Sequence, residues 1–265
     1  MFRIRLFCTI SIFLSVLYSS RAQDWEGLAV EYERAVYSGA SLGEANAALM
    51  GKAQCYKALG RYADASSTLA RIRMFALTPE ERQEVLFQQE LCWFLGGEFE
   101  QAASLAEETG DFSQDALLLH ALVLAYDGRY DESEIYAARC VSWDGVCERL
   151  PELLKLYEGH PRVRSKSTSL ALSFVPPLGH FYNDAYGEGL LSAGLNAGAA
   201  GFMVANLLGG YWVTGLVGGA IALNYTFMGN QERNAFLTHM NNTNGPLEFG
   251  ERLRALLADI LDDYE

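Results

Sequence analysis

Residues 173–210 read SFVPPLGHFYNDAYGEGLLSAGLNAGAAGFMVANLLGG, opening with paired prolines and ending in small apolar residues. Beyond Ser173 the stretch holds two charges, Asp184 and Glu188. From Leu190 to Met228 there is no Asp, Glu, Lys or Arg at all, in a chain whose net charge is −13. A helix needs about 20 apolar residues to cross a bilayer. A run nearly twice that length, broken by Gly209-Gly210-Tyr211, predicts a transmembrane hairpin over 187–230. In a soluble protein a helix apolar on every side has to be wrapped on every side, and the rest of this 265-residue chain offers little cover.

The residues around the run fit that expectation. Phe181, Tyr182 and Tyr186 precede the first span, and Tyr211 and Trp212 sit at the turn, where membrane proteins concentrate aromatics. Gly194 and Gly198 are four apart in the first span, as are Gly215 and Gly219 in the second, the spacing that lets helices approach closely in lipid. Asn196, Asn206 and Asn224 are expected to bridge the spans. Upstream, residues 170–186 are too short to cross and contain Pro176-Pro177, which predicts an interfacial or re-entrant segment. Downstream, 231–265 is expected to be a helical tail, with Leu253, Leu256, Leu257, Ile260 and Leu261 on one face, packed on the rest of the chain or on a partner.

The first 22 residues have the zones of a secretory signal peptide: Arg3 and Arg5, an apolar run from Leu6 to Tyr18, then Ser20-Arg21-Ala22. Export would place Cys140 and Cys147, which flank VSWDGV, where a disulfide can form; bridged and unbridged readings both stand. Cys55 and Cys92, each followed by a large aromatic in an apolar stretch, read as buried thiols. With 33 acidic against 20 basic side chains, the chain lacks the positive surface that nucleic acid requires. The densest basic run after the leader, Arg162, Arg164 and Lys166, marks a linker at 160–169 and is read as meeting anionic headgroups.

Between leader and linker, three segments align without gaps: AQCYKALGRYADASSTLA (53–70), ELCWFLGGEFEQAASLAE (90–107) and ALVLAYDGRYDESEIYAA (121–138). Fixed offsets carry Gly60, Tyr62 and Ala65; Gly97, Phe99 and Ala102; Gly128, Tyr130 and Ser133. Glycine ends a helix where a left-handed residue is needed, the aromatic is expected in the notch between two helices, and the small residue allows their close approach. This period and turn resemble the tetratricopeptide repeat family over roughly residues 44–140. The resemblance implies an all-α domain at 23–159, three degenerate units with flanking helices, that binds protein partners on its surface. Glu90 departs from the small residue the family prefers at its offset, and Ser133 from the usual alanine. A second resemblance, of Pro176, Leu178, Gly179, His180, Tyr182 and Gly189, is to a Pro-Gly-x-Gly-x-x-Tyr signature in uncharacterised bacterial membrane proteins; Pro177 and Asn183 stand where it usually has glycine.

The four histidines are scattered without metal-ligand spacing, and no phosphate loop or nucleophile motif occurs. The expectation is therefore a protein with no catalytic, cofactor-binding or metal site and no small-molecule substrate. It would be a docking or scaffold protein tethered to membrane lipid in the bacterial envelope, in the inner membrane with the repeats on the periplasmic side. The alternative makes the hairpin the working part, assisting insertion or passage of a substrate, with the repeats regulatory.

Overall fold

A computed structural model describes residues 24–38, 41–145 and 147–262; the expected signal peptide lies outside them. The described chain is all-α, built from twelve α-helices without a strand among those residues. It divides into two units, residues 1–160 with 249–265, and residues 161–248.

The first unit is a series of helices, each packed on the one before: α1 Trp25–Tyr37, α2 Leu42–Ala58, α3 Tyr62–Leu69, α4 Pro79–Leu95, α5 Phe99–Thr109, α6 Gln114–Asp127, α7 Tyr130–Val141 and α8 Leu150–Glu158. Local chemistry sets their starts. Ser41 with Glu44 and Thr78 with Glu81 form reciprocal caps on α2 and α4, Pro79 takes the first position of α4, and Ser113 caps α6. The core centres on α6, whose residues from Ala116 to Tyr126 are all buried. A helix with no polar face needs cover all round. Part of it comes from the end of the last helix, α12 Gly219–Asp262, where Phe249, Leu253, Leu257 and Ile260 are all fully buried in the same cluster. Gly250 lets this helix lie directly against the Tyr126 ring, which occupies the place a Cβ would take, and Tyr126 donates to Glu251 at 2.8 Å. The tail residues thus pack back on the chain itself.

The second unit comprises α9 Lys166–Ser173, a cis Pro176-Pro177 bond, α10 Leu178–Tyr182, α11 Tyr186–Leu208 and α12 up to Glu248. Three boundaries differ from expectation. The linker is helical from Lys166, because Ser165 caps α9 by accepting from the Thr168 amide. The segment 170–186, expected to be interfacial, holds the end of α9 and the short α10, which ends before Asp184 at φ +59°. No break separates hairpin from tail at 230–231: a π-helical turn, Thr214–Gly218, runs straight into α12, since nothing between Gly219 and Asn244 interrupts the helical amide ladder.

Candidate functional site

The three aligned segments become three helix hairpins with one turn geometry. Gly60, Gly97 and Gly128 have φ of +69°, +79° and +83°. After each, the next amide donates back past the turn into the preceding helix: Arg61 to Tyr56 O, Glu98 to Trp93 O and Arg129 to Leu124 O, at 2.8, 2.9 and 2.9 Å. Ala65, Ala102 and Ser133 are fully buried. Ser133 fits in place of alanine because its hydroxyl donates to Ala121 O at 2.6 Å and lies 2.7 Å from the Tyr157 hydroxyl. The aromatics reach further than the notch of their own hairpin. Tyr62 lies against Gly96 of the second hairpin, and Phe99 packs on Tyr126 of the third, ring centroids 4.9 Å apart. Tyr130 meets Phe249 at 4.8 Å. They join successive hairpins.

The other departure, Glu90, is also buried. Its Oε2 lies 3.2 Å from His120 Nε2, both side chains wholly enclosed, and His120 Nδ1 is 3.7 Å from Asp111, which pairs with Arg139. Burial pushes the Glu90 carboxyl above the usual range, with His120 only partly opposing the rise. This buried ionisable pair stands on α4 and α6, two equivalent helices of neighbouring hairpins. The sequence signals it only through the misfit at residue 90; nothing there points to the histidine on the next hairpin.

At the start of the array, a groove of about 600 Å³ lies along α1 and α2, lined by Val30, Tyr37, Lys52, Tyr56 and Arg61 among others. Val30 and Tyr37 are exposed there. Glu33 accepts from Arg71 at 2.9 and 3.0 Å and from Lys52 at 2.7 Å, and these bonds, Arg71 first, hold its carboxyl at about 2. Arg61 lies over the Tyr56 ring at 4.8 Å. The groove pairs exposed apolar surface with fixed charge.

The second unit has its polarity reversed. Among its described residues the buried apolar side chains are Ala199 and Pro246, while Arg164, Ser169, Ser173, His180, Asn183, Asn230, Asn234 and Thr238 are buried. Outward stand Leu170, Phe174, Leu190, Leu195, Phe202, Trp212, Ile221 and Tyr225. The polar interior is bonded to itself. Thr238 Oγ1 lies 2.6 Å from Ser169 Oγ, to which Asn183 Nδ2 donates at 3.0 Å. Asn230 Nδ2 donates to Ser173 O, and Asn234 Nδ2 stands 3.3 Å from His180 Nδ1. Arg164 and Asn242 exchange two bonds of 2.8 Å, and Arg164 pairs with Asp184.

Within the hairpin, Gly215 and Gly219 lie against Leu207 and Met203 of α11. Gly194 and Gly198 do not share that contact: a Cβ on either would meet nothing within 4 Å. The face α11 turns to α12 carries Ser192, Asn196, Met203 and Leu207 instead, because those positions meet Asn230, Thr226, Gly219 and Gly215. Asn196 does bridge, accepting from Thr226 Oγ1 at 3.0 Å, whereas Asn206 bonds its own helix at Phe202 O. One described helix, α11, is long and apolar enough to cross a membrane; Asn224, Tyr225 and Thr226 dilute the second arm.

Cys140 and Cys147 are both buried and unbridged, as are Cys55 and Cys92. Burial pushes the Cys140 thiol up to about 12, which makes it a poor thiolate. Among the described residues no cluster of three metal-ligating side chains occurs. The chain matches no protein-family model, no curated protein and no solved structure.

Proposed function

We propose that this chain is an exported, membrane-tethered docking or scaffold protein whose tetratricopeptide-like hairpins bind a protein partner. The observation that carries the reading is the contrast between the two units. The first buries Leu, Val, Phe and Ala, as a domain in water does; the second buries Asn, Ser, Thr and Arg and turns Leu, Phe, Trp and Ile outward. Such a surface in water would be an apolar patch far beyond what a soluble monomer tolerates. In lipid it is the ordinary arrangement, since intramembrane polar groups face the bundle interior and bond one another. Charge follows the same division: residues 161–248 hold four basic and four acidic side chains, so the whole excess of 13 negative charges lies elsewhere.

Docking is supported by the groove on α1 and α2, where exposed Val30 and Tyr37 adjoin Tyr56 and fixed charges. A working role for the hairpin gains less support, because Asn206 turns to its own helix rather than into a polar path with Asn196. The setting we infer is the inner membrane of a bacterial envelope, with the repeats on the periplasmic side. The test has two arms. The full chain should stay in the membrane pellet after alkaline carbonate, and a photo-crosslinking residue at Tyr37 should capture a discrete protein in intact cells while one at Phe75 should not. Carbonate release refutes the tether; equal capture at both positions refutes docking in the groove.

A further inference from the structure

We propose that the groove between α11 and α12 holds one zwitterionic phospholipid of the ethanolamine type, an inference that rests on the membrane reading above. The groove measures about 480 Å³, within the size range of small-molecule sites. Its floor is polar and built: His180 and Asn230 are 2% and 4% exposed, and Ser192, Asn196 and Thr226 join them. Its walls, Leu191, Leu195 and Tyr225, are exposed apolar side chains. A groove with both linings suits an amphiphile, its polar part over the floor and a hydrocarbon chain along the leucines.

The mouth specifies the headgroup. Arg233 Nε and Nη2 bond the two Glu188 oxygens at 2.7 Å each, and both side chains remain nearly half exposed. Adjacent opposite charges facing outward complement a phosphate beside an ammonium, the phosphate on Arg233 and the N–H donors on Glu188. A purely anionic lipid would set its phosphate against the Glu188 carboxylate with nothing to answer it. Depth agrees with this assignment. From Trp212 to Arg233 the helix rises about 30 Å at about 1.5 Å per residue, close to the hydrocarbon thickness of a bilayer, about 30 Å. With Trp212 at one interface, the ion pair stands at the other, level with headgroups.

Gly229 supplies a clean test. It lines the groove, and a Cβ there would meet nothing within 4 Å, so Gly229→Leu adds its side chain to the groove from an unobstructed Cβ. Gly194→Leu is the matched control: its Cβ is equally free, and the residue lies outside the groove. The full chain is reconstituted in vesicles of equimolar phosphatidylethanolamine and phosphatidylglycerol, floated, released into mild detergent and weighed by native mass spectrometry. The expected result is one retained phosphatidylethanolamine per chain in the wild type and in Gly194→Leu, and about tenfold less in Gly229→Leu, corresponding to about 1.4 kcal/mol. Retention unchanged in Gly229→Leu, or equal retention of phosphatidylglycerol, overturns the proposal while leaving the tether intact. A wild-type chain that does not float with the vesicles overturns both.

Discussion

Leu253 offers the sharpest test of how the first unit is completed. It lies near the end of the chain, far in sequence from α6, yet it is wholly buried in the cluster around that helix. Replacing it with alanine empties part of a packed site and improves intrinsic helix propensity, so any loss reports packing alone. Leucine-to-alanine changes in cores cost about 2–5 kcal/mol, a large share of the roughly 5–15 kcal/mol that holds a domain together. At about 2–4 °C per kcal/mol for a unit of this size, the melting midpoint should fall by roughly 10 °C. The control is Leu247→Ala on the same helix, an exposed residue of the other unit, whose change should stay within about 0.5 kcal/mol. Midpoints are read from tryptophan fluorescence, because Trp93 packs against this core. Equal midpoints for the two variants would show that the helix end does not complete the core.

Other substitutions probe the turns, the buried pair and the hairpin. Gly97→Val has open space for its side chain but must hold φ near +79°; it should cost about 1–2 kcal/mol, read as a lower urea midpoint, and an unchanged midpoint would refute the left-handed turn. Glu90 has its folded-state pKa raised by burial, so the stability it contributes is full below its unfolded value of about 4.3 and is lost as pH rises through the folded value. The wild type should therefore lose stability relative to Glu90→Gln from about pH 4.3 upward, by about 1.4 kcal/mol for every tenfold rise in proton affinity on folding. Urea midpoints that run parallel from there to neutrality would contradict the buried pair. Gly219→Leu should separate the hairpin arms, since its Cβ would stand 2.5 Å from Met203 Cβ and 2.9 Å from Met203 Cα, at about 1–3 kcal/mol. Gly194→Leu should leave the arms together, as judged by a disulfide crosslink engineered with Ser192→Cys and Asn230→Cys; identical crosslinking in both glycine variants would argue against the packing described.

The parts of the fold legible in the sequence are those imposed by a neighbour a few residues away. A glycine that must take positive φ, as at 60, 97 and 128, declares itself by type, and so the three turns can be read directly. Leu253, Leu257 and Ile260 form a stripe at helical spacing, and of the two covers expected for it the chain itself is the one observed. What each glycine of the hairpin faces is not legible. Gly194 and Gly215 sit in similar surroundings in sequence, and the rotation of α11 about its axis, set by Ser192 and Asn196 meeting Asn230 and Thr226, decides between them. The polar interior of the second unit escapes a sequence reading because serine and asparagine outside a span look like surface. A usable signal exists: Ser165, Ser169 and Ser173 recur every four residues, as do Asn230, Asn234, Thr238 and Asn242, two polar stripes on helical spacing. Glu90 carries no such mark of its partner, since His120 lies on a different hairpin.

Because residues 161–248 are inserted between α8 and the closing turns of α12, the newborn chain meets a delay. When α6 leaves the ribosome, the side chains of Phe249, Leu253, Leu257 and Ile260 have not yet been made. At about 5–20 residues per second, the insertion occupies the ribosome for roughly 4–18 s, far longer than helices take to form and collapse. Throughout that interval the most apolar helix of the first unit stands with one side open, and that side closes only when the last described turns of α12 have been made.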